Sequence, residues 1–311
     1  MSVFLISVLA VVSLLMTAVP GYIFIKAKMV PENCIVSLSK VLLYVCSPCL
    51  SIYGFTSIEY SSETLLNIGV FTLLCLLIFA IMIGGAFLFL FRRYKNPVFR
   101  IMTIAAAFSN ATFFGIPIIE AIMGDAAPAL IVYANIFSLV LNVVAWTVGV
   151  AIILQNPKYM SAKKAFLNPA MIGTLVALVI FIFSIPIPAQ ILSMITTTGK
   201  MASPLSMLIL GMRLATVEWR SVFSNFRLYI SVGVNQLIMP LVALCIALIL
   251  PLSTDVKTAF FIICSCPIAS NVLNFSELVG EGQKQAASLV LLGTILSVVT
   301  LPIMMLLLPL I

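Results

Sequence analysis

The chain alternates long apolar runs with short polar links along its whole length. Ten of the runs are long enough to cross a bilayer, which takes roughly 20 apolar residues for about 30 Å of hydrocarbon. The pattern therefore predicts ten transmembrane helices. Their approximate limits are 2–25, 34–57, 65–91, 99–123, 128–154, 166–185, 188–215, 227–250, 256–279 and 284–309. The first run lacks the basic start and small-residue cleavage site of a signal peptide, so we interpret it as a span.

Basic residues concentrate in every second link. If the links after predicted helices one, three, five, seven and nine face the cytoplasm, that side holds 14 of the 16 lysines and arginines, counting adjoining helix ends. Only Lys200 and Lys257 then lie outside. Because cytoplasmic loops are enriched in basic residues, both termini are predicted to be extracytoplasmic. The links are too short to hold a soluble domain.

Two of the predicted helices are interrupted by polar residues and prolines. The fourth contains NATFFGIP (Asn110 to Pro117) near its centre, and the ninth contains SCPIASN (Ser265 to Asn271). Proline donates no backbone hydrogen bond and collides with the preceding turn, so we expect the fourth helix to break at Pro117. Backbone groups freed at membrane depth must line a cavity or be buried in protein. Two such helices are typical of the midplane binding site of a transporter.

The longest polar link, residues 155–169, divides the predicted helices five and five. Because five is odd, the second half starts from the opposite side of the membrane, and homologous halves would form an inverted repeat. We predict a first repeat over 1–155, a short basic cytoplasmic linker over 156–165 and a second repeat over 166–311.

Similar motifs recur in the two halves. Helices two and seven each contain a Ser-Pro pair followed by a glycine: Ser47, Pro48 and Gly54 in the first half, and Ser203, Pro204 and Gly211 in the second. The two prolines of this motif lie 156 residues apart, and Pro117 and Pro267 of the interrupted helices lie 150 residues apart. Together these matches favour an internal duplication.

Composition narrows the class of protein. The chain is 63% hydrophobic and 8% charged, as expected of a helical membrane protein, and the alternation of a transmembrane β-barrel is absent. The net charge of +7 is explained by the cytoplasmic links, so nucleic acid is not an expected partner. The seven cysteines lie mostly in apolar runs and there is no histidine, which favours packing roles over a metal or redox site.

The two interruptions carry groups able to hold a small anion. A half-helix that starts at the membrane centre presents free N–H groups and a partial positive charge, while the carboxyl end of its neighbour suits a cation. Neutral side chains add donors and acceptors, and glycine permits close backbone approach. The predicted substrate-binding residues are Asn110, Thr112, Gly115, Pro117, Pro267, Ser270 and Asn271. The predicted supporting residues are Ser47, Pro48, Ser203 and Pro204.

Other roles for these residues stay open. The Asn110 amide could instead satisfy the backbone freed by Pro117 or bond to a neighbouring helix. Asn274 could face the cavity in place of Asn271, and Pro48 and Pro204 could serve only to kink their helices.

Ionisable residues are scarce within the predicted spans. Glu120 and Glu277 are expected near the interfaces, and we find no paired carboxylates of the kind that exchange protons. Coupling to sodium through carbonyls, Asn and Ser, coupling to protons, or uncoupled anion flow all remain open. Intramembrane proteases need histidine or membrane aspartates, so catalysis is not expected. A membrane sensor of a small carboxylate, without transport, is the alternative.

Four ordered motifs resemble the auxin efflux carrier family, which includes bacterial organic-anion permeases and plant auxin transporters. NATFFGIPII (Asn110 to Ile119) is similar to the first crossover of that family. NPAMIG (Asn168 to Gly173) and GKMASPLSMLILGMRLA (Gly199 to Ala215) resemble its sixth and seventh spans. CPIASNVLNFSELVG and AASLVLLGTILSVVTLPI, within Cys266 to Pro302, resemble its last two spans. The resemblance covers essentially the whole chain.

This resemblance implies an all-helical fold of ten spans in a 5+5 inverted repeat, with helices four and nine crossing at their breaks. It also implies a homodimer in the plasma membrane (the inner membrane of a bacterial cell), extracytoplasmic termini and elevator-type alternating access. Asn110 matches the residue that contacts the carboxylate, and Pro267 aligns at the second crossover. The long central loop of many plant members is missing, so a bacterial-type permease for malate, malonate or a similar acid is favoured over an auxin carrier.

Overall fold

The computed structural model describes residues 2–155, 166–167, 169–217, 222–223, 225–273, 276 and 282–311. Within these residues the protein is helical, and its one β feature is an isolated antiparallel bridge between Ser109 and Ile268. Among the described residues, six helical segments are long and apolar enough to cross a membrane: Val3–Lys26, Cys34–Thr56, Ser62–Arg93, Ala111–Leu154, Phe226–Ile249 and Gln283–Leu310. A shorter apolar helix spans Pro169–Ile182. The protein is therefore a multi-pass membrane protein.

The helices are numbered here in chain order. The first half contains α1 (Val3–Met16), α2 (Val19–Lys26), α3 (Cys34–Val41), α4 (Ser47–Thr56), α5 (Ser62–Leu90), α6 (Pro97–Ala105), α7 (Ile116–Met123), α8 (Ala127–Val144) and α9 (Val150–Leu154). The second half contains α10 (Pro169–Ile182), α11 (Ala189–Lys200), α12 (Ala202–Thr216), α13 (Phe226–Gly233), α14 (Met239–Ile249), α15 (Thr254–Cys264) and α16 (Gln283–Met305). Polar side chains cap several starts; Ser61, for example, accepts a hydrogen bond from the Thr64 N–H at 3.0 Å.

Prolines mark places where the helical winding changes. Five-residue π-helical turns at Leu42–Cys46, Ala111–Gly115 and Val234–Ile238 each precede a helix with proline in its second position. These prolines are Pro48, Pro117 and Pro240. A proline has no N–H to donate and its ring displaces the carbonyl four residues earlier, so a wider turn just before it is a low-cost solution.

The interruption of the fourth predicted helix lies earlier than expected. α6 ends at Ala105, and the chain leaves helical geometry through Asn110 before winding up again at Ala111. The prediction that the helix breaks at Pro117 is therefore wrong. Pro117 is instead the second residue of α7, and the π-helical turn Ala111–Gly115 just before it accommodates its ring and its missing N–H.

The chain reverses direction between α7 and α8. A straight helix over the 44 residues Ala111–Leu154 would be about 66 Å long, twice the bilayer core. Gly124 instead adopts φ 52° and ψ −119°, a conformation open mainly to glycine. The hydrogen bond between the hydroxyls of Thr112 and Ser138 places the two limbs side by side.

Helices of the two halves pack against each other through small residues. α2 contacts α12, and α4 contacts α10. At the α2–α12 contact, a side chain on Gly21 would collide with the Leu208 carbonyl, and one on Gly211 would collide with the Ala18 carbonyl. Such backbone-to-backbone approach is how membrane helices gain packing energy when lipid removes the hydrophobic drive between them.

An aromatic core supports the interrupted segments. Phe79 of α5 packs on Phe108 of the interruption at 5.8 Å between ring centroids and on Phe137 of α8 at 5.0 Å. The outer face of α5 is apolar and open, with Leu88 70% exposed and Phe89 89% exposed. Buried aromatic rings inside and exposed apolar side chains outside are the arrangement expected in lipid.

Candidate functional site

The two interruptions meet in the interior of the protein. The Asn110 N–H donates to the Pro267 carbonyl at 2.8 Å, and the Ala269 N–H donates to the Phe108 carbonyl at 2.8 Å. Together these bonds form the antiparallel bridge between Ser109 and Ile268. The two interrupted segments therefore contact each other at their breaks.

The bridge changes the expected role of the freed backbone. The sequence suggested that backbone groups freed at the interruptions bind the ligand. Two of these N–H groups and two carbonyls instead bond to one another across the crossing. The Gly115 N–H also donates to the Asn110 carbonyl at 3.0 Å. The Ala111 N–H donates to the Ser109 carbonyl at 3.0 Å. Side chains must therefore supply more of any ligand binding than we expected.

A cavity of about 100 Å³ lies at the crossing. This crossing cavity is lined by Leu43, Ser47, Ser109, Asn110, Ala111, Thr112, Phe113, Ser138, Leu141, Asn142, Trp146, Ala170, Ala269, Ser270 and Asn271. It therefore brings together five residues singled out in the sequence: Ser47, Asn110, Thr112, Ser270 and Asn271. The described lining contains no charged side chain, so any ligand would be held by amides, hydroxyls and the indole of Trp146.

α8 contributes polar groups that the sequence analysis missed. Ser138 bonds to the Thr112 hydroxyl, and the Asn142 amide donates to the Ser138 carbonyl at 2.8 Å. Asn135, 1% exposed, lies one turn earlier in a smaller adjoining cavity of about 20 Å³. Residues 135, 138 and 142 are spaced as neighbours on one helical face, a signal that was readable in the sequence.

The remaining predicted substrate-binding residues shape the backbone. Gly115 is buried, and a Cβ placed there would lie 3.2 Å from Sγ of Cys266. Pro117 is half-buried in the first turn of α7, and Pro267 is buried with its carbonyl in the bridge. These three residues are absent from the lining of the crossing cavity.

The predicted supporting residues have different surroundings. Ser47 is buried and lines the crossing cavity, whereas Pro48 packs against Gly173 of α10. Ser203 is half-buried and Pro204 is exposed, and neither lines that cavity. Asn274 and Glu277 lie outside the described residues. No group of His, Cys, Asp and Glu within the described part of the chain could hold a metal ion.

The chain matches a known protein family over nearly its whole length. A family model described as membrane transport protein, which represents the auxin efflux carrier or PIN-like family, matches residues 6–305. The chain belongs to this family. No curated protein matches it in sequence. The family assignment confirms the resemblance carried by the crossover motifs, and the protein is a member of a family of membrane transporters.

Proposed function

We propose that the protein is a secondary transporter of small organic anions, such as malate, malonate or a similar carboxylate, which binds at the crossing. The observation that carries this proposal is the cavity where the two interrupted segments meet, lined by Asn110, Thr112, Ser138, Asn142 and Asn271. Amide and hydroxyl groups can donate to a carboxylate without trapping it in a strong ion pair. Binding that is favourable and reversible is what a transport cycle needs.

Asn110 is the central side chain of the proposed site. It is the last residue before the π-helical turn, it is half-buried, and it lines the cavity while its own N–H is held in the bridge. Its position is therefore defined by the backbone of both segments. One hydrogen bond from a neutral donor to a carboxylate contributes about 1.5–3 kcal/mol, or about 10- to 100-fold in affinity.

We also propose that the two halves form a 5+5 inverted repeat of ten spans. If the two bridged segments exchange places, each bridge hydrogen bond takes the position of the other. Phe108 then corresponds to Pro267 and Asn110 to Ala269, and the residues of each pair are 159 positions apart. The Ser47-Pro48 and Ser203-Pro204 motifs, 156 residues apart, support a similar register. The pairing of Pro117 with Pro267 does not support this register, because Pro267 is part of the bridged segment whereas Pro117 lies seven residues beyond Asn110, in α7.

The proposed repeat suggests the transport mechanism. Alternating access would carry the crossing, with its bound anion, between the two sides of the membrane, in the elevator manner implied by the family. The protein would act as a homodimer in the plasma membrane, with both termini extracytoplasmic and without catalysis.

Uptake into proteoliposomes tests the function. Purified protein is assayed with a panel of labelled mono- and dicarboxylates, with and without sodium and proton gradients, which also identifies the coupling ion. We expect accumulation of at least one carboxylate, and Asn110→Ala should lower it by about 10-fold or more. Asn67→Ala, at a half-buried asparagine of α5 outside the cavity lining, is the matched control.

Two outcomes would contradict the proposal. Wild-type uptake by Asn110→Ala protein would remove Asn110 from the site. If no carboxylate accumulates under any gradient although binding is detected, the sensor function would be favoured instead.

A further inference from the structure

A second cavity adjoins the crossing cavity. It has a volume of about 80 Å³ and shares Leu43, Phe113, Ser270 and Asn271 with the first. Both volumes exceed the roughly 30 Å³ that one water molecule occupies in the liquid, so each can hold a carboxylate-sized group. The two cavities are therefore neighbouring compartments with common walls. We call the second one the arginine cavity.

Arg213 gives the arginine cavity its name. It lies in the last turn of α12, is half-buried and is the one charged side chain among the described residues that line either cavity. Ser206, Ile209 and Leu210 of the same helix line the cavity beside it, so Arg213 is a half-buried charge in a wall of small polar and apolar side chains. A charge in such surroundings interacts more strongly with a ligand than one in open water.

A guanidinium in this place suits a second carboxylate. Its five N–H donors form a planar fork that can bind a carboxylate through two parallel hydrogen bonds and still serve another partner. Ser270 and Asn271 line both cavities and could contact the middle of a ligand that reaches from one cavity to the other. A monocarboxylate bound at the crossing would instead present an alkyl end to the arginine.

We propose that Arg213 binds the second carboxylate of the substrate, so that the protein selects dicarboxylates over monocarboxylates of equal length. This inference rests on the proposed transport of organic anions and names the substrate class for the same site. The neutral amides at the crossing hold one carboxylate, and the cationic fork holds the other. Arg213 is thus a specificity-determining residue.

Succinate and butyrate are suitable probes, because both have four carbons and they differ in the second carboxylate. Binding can be followed through Trp146, which lines the crossing cavity. The chain has two tryptophans, so Trp219→Phe leaves Trp146 as the only one. Each acid is titrated into the purified protein at neutral pH, and the ratio of the two dissociation constants is the measured quantity.

The expected ratio follows from one charge-assisted contact. Succinate should bind about 10- to 100-fold more tightly than butyrate. Arg213→Gln should remove most of this preference by weakening succinate alone, whereas Arg213→Lys should keep a part of it as a point charge. Arg227→Gln, at an exposed arginine outside both cavities, should leave the ratio unchanged.

Three results would overturn the proposal. Equal affinity of the parent protein for the two acids would remove the dicarboxylate preference. If Arg213→Gln weakens the binding of both acids equally, and Arg213→Lys does the same, Arg213 is a purely structural residue. If either of these results is found while butyrate still binds in a manner that depends on Asn110, the inference about Arg213 fails and the proposed transport function stands. If neither acid binds nor is transported, the proposed function fails with it.

Discussion

A methyl group added at Gly115 would enter the contact between the two interrupted segments. The new Cβ would lie 3.2 Å from Sγ of Cys266 and 3.6 Å from the Asn110 carbonyl oxygen. Carbon atoms pack best at about 3.5–4.0 Å, so the contact with sulfur is too short. Gly115 and Cys266 are both buried, and neither can turn toward solvent. We expect Gly115→Ala to destabilise the fold by about 1–3 kcal/mol.

Removing the sulfur should relieve this clash. Cys266→Ala leaves room for the methyl group, so Gly115→Ala/Cys266→Ala should recover most of the loss, with a coupling energy of about 0.5–3 kcal/mol. Gly84→Ala is the matched control, because a Cβ at Gly84 of α5 meets nothing within 4 Å. An alanine there should be neutral or stabilising by up to about 1 kcal/mol.

Thermal unfolding in detergent and carboxylate uptake are measured for all four variants. If adding Cys266→Ala to the Gly115→Ala protein restores neither stability nor uptake, the proposed clash between residue 115 and Cys266 is refuted. It is also refuted if Gly115→Ala is as stable as Gly84→Ala. A double variant that regains stability but not uptake would give Gly115 the direct ligand role that the sequence suggested. Uptake that returns together with stability would assign it a packing role.

Three further predictions concern packing and orientation. Gly211→Ala should prevent stable folding, because its Cβ would collide with the Ala18 carbonyl; size-exclusion chromatography after extraction measures this. Thr174→Val should lower the stability measured by thermal unfolding by about 0.6 kcal/mol, since it removes the hydroxyl that bonds to Ser51 and to the Ala170 carbonyl, each at 2.9 Å. No measurable loss would contradict a contribution from these bonds. In a background without accessible cysteines, a cysteine replacing Lys163 should react with an impermeant reagent from the cytoplasmic side only, and labelling from outside would reverse the predicted orientation.

Much of the architecture was predictable because it depends on local pattern. The length of the apolar runs indicates a helical membrane protein, since a bilayer sets the length of its helices. Polar residues inside two of those runs mark the interruptions, because freed backbone at membrane depth needs a protein or cavity partner. Asn110 and Asn271 could be selected on this ground, and the structure places both in one cavity.

The tertiary structure decided which groups face each other. The bridge pairs N–H and carbonyl groups that lie 157 and 161 positions apart in the chain, and no local rule indicates that they satisfy one another instead of a ligand. Ser138 and Arg213 enter the site region only because α8 and α12 pack beside the crossing. In the sequence, Arg213 is one more basic residue near a cytoplasmic link, and its cavity exists only once distant helices have come together.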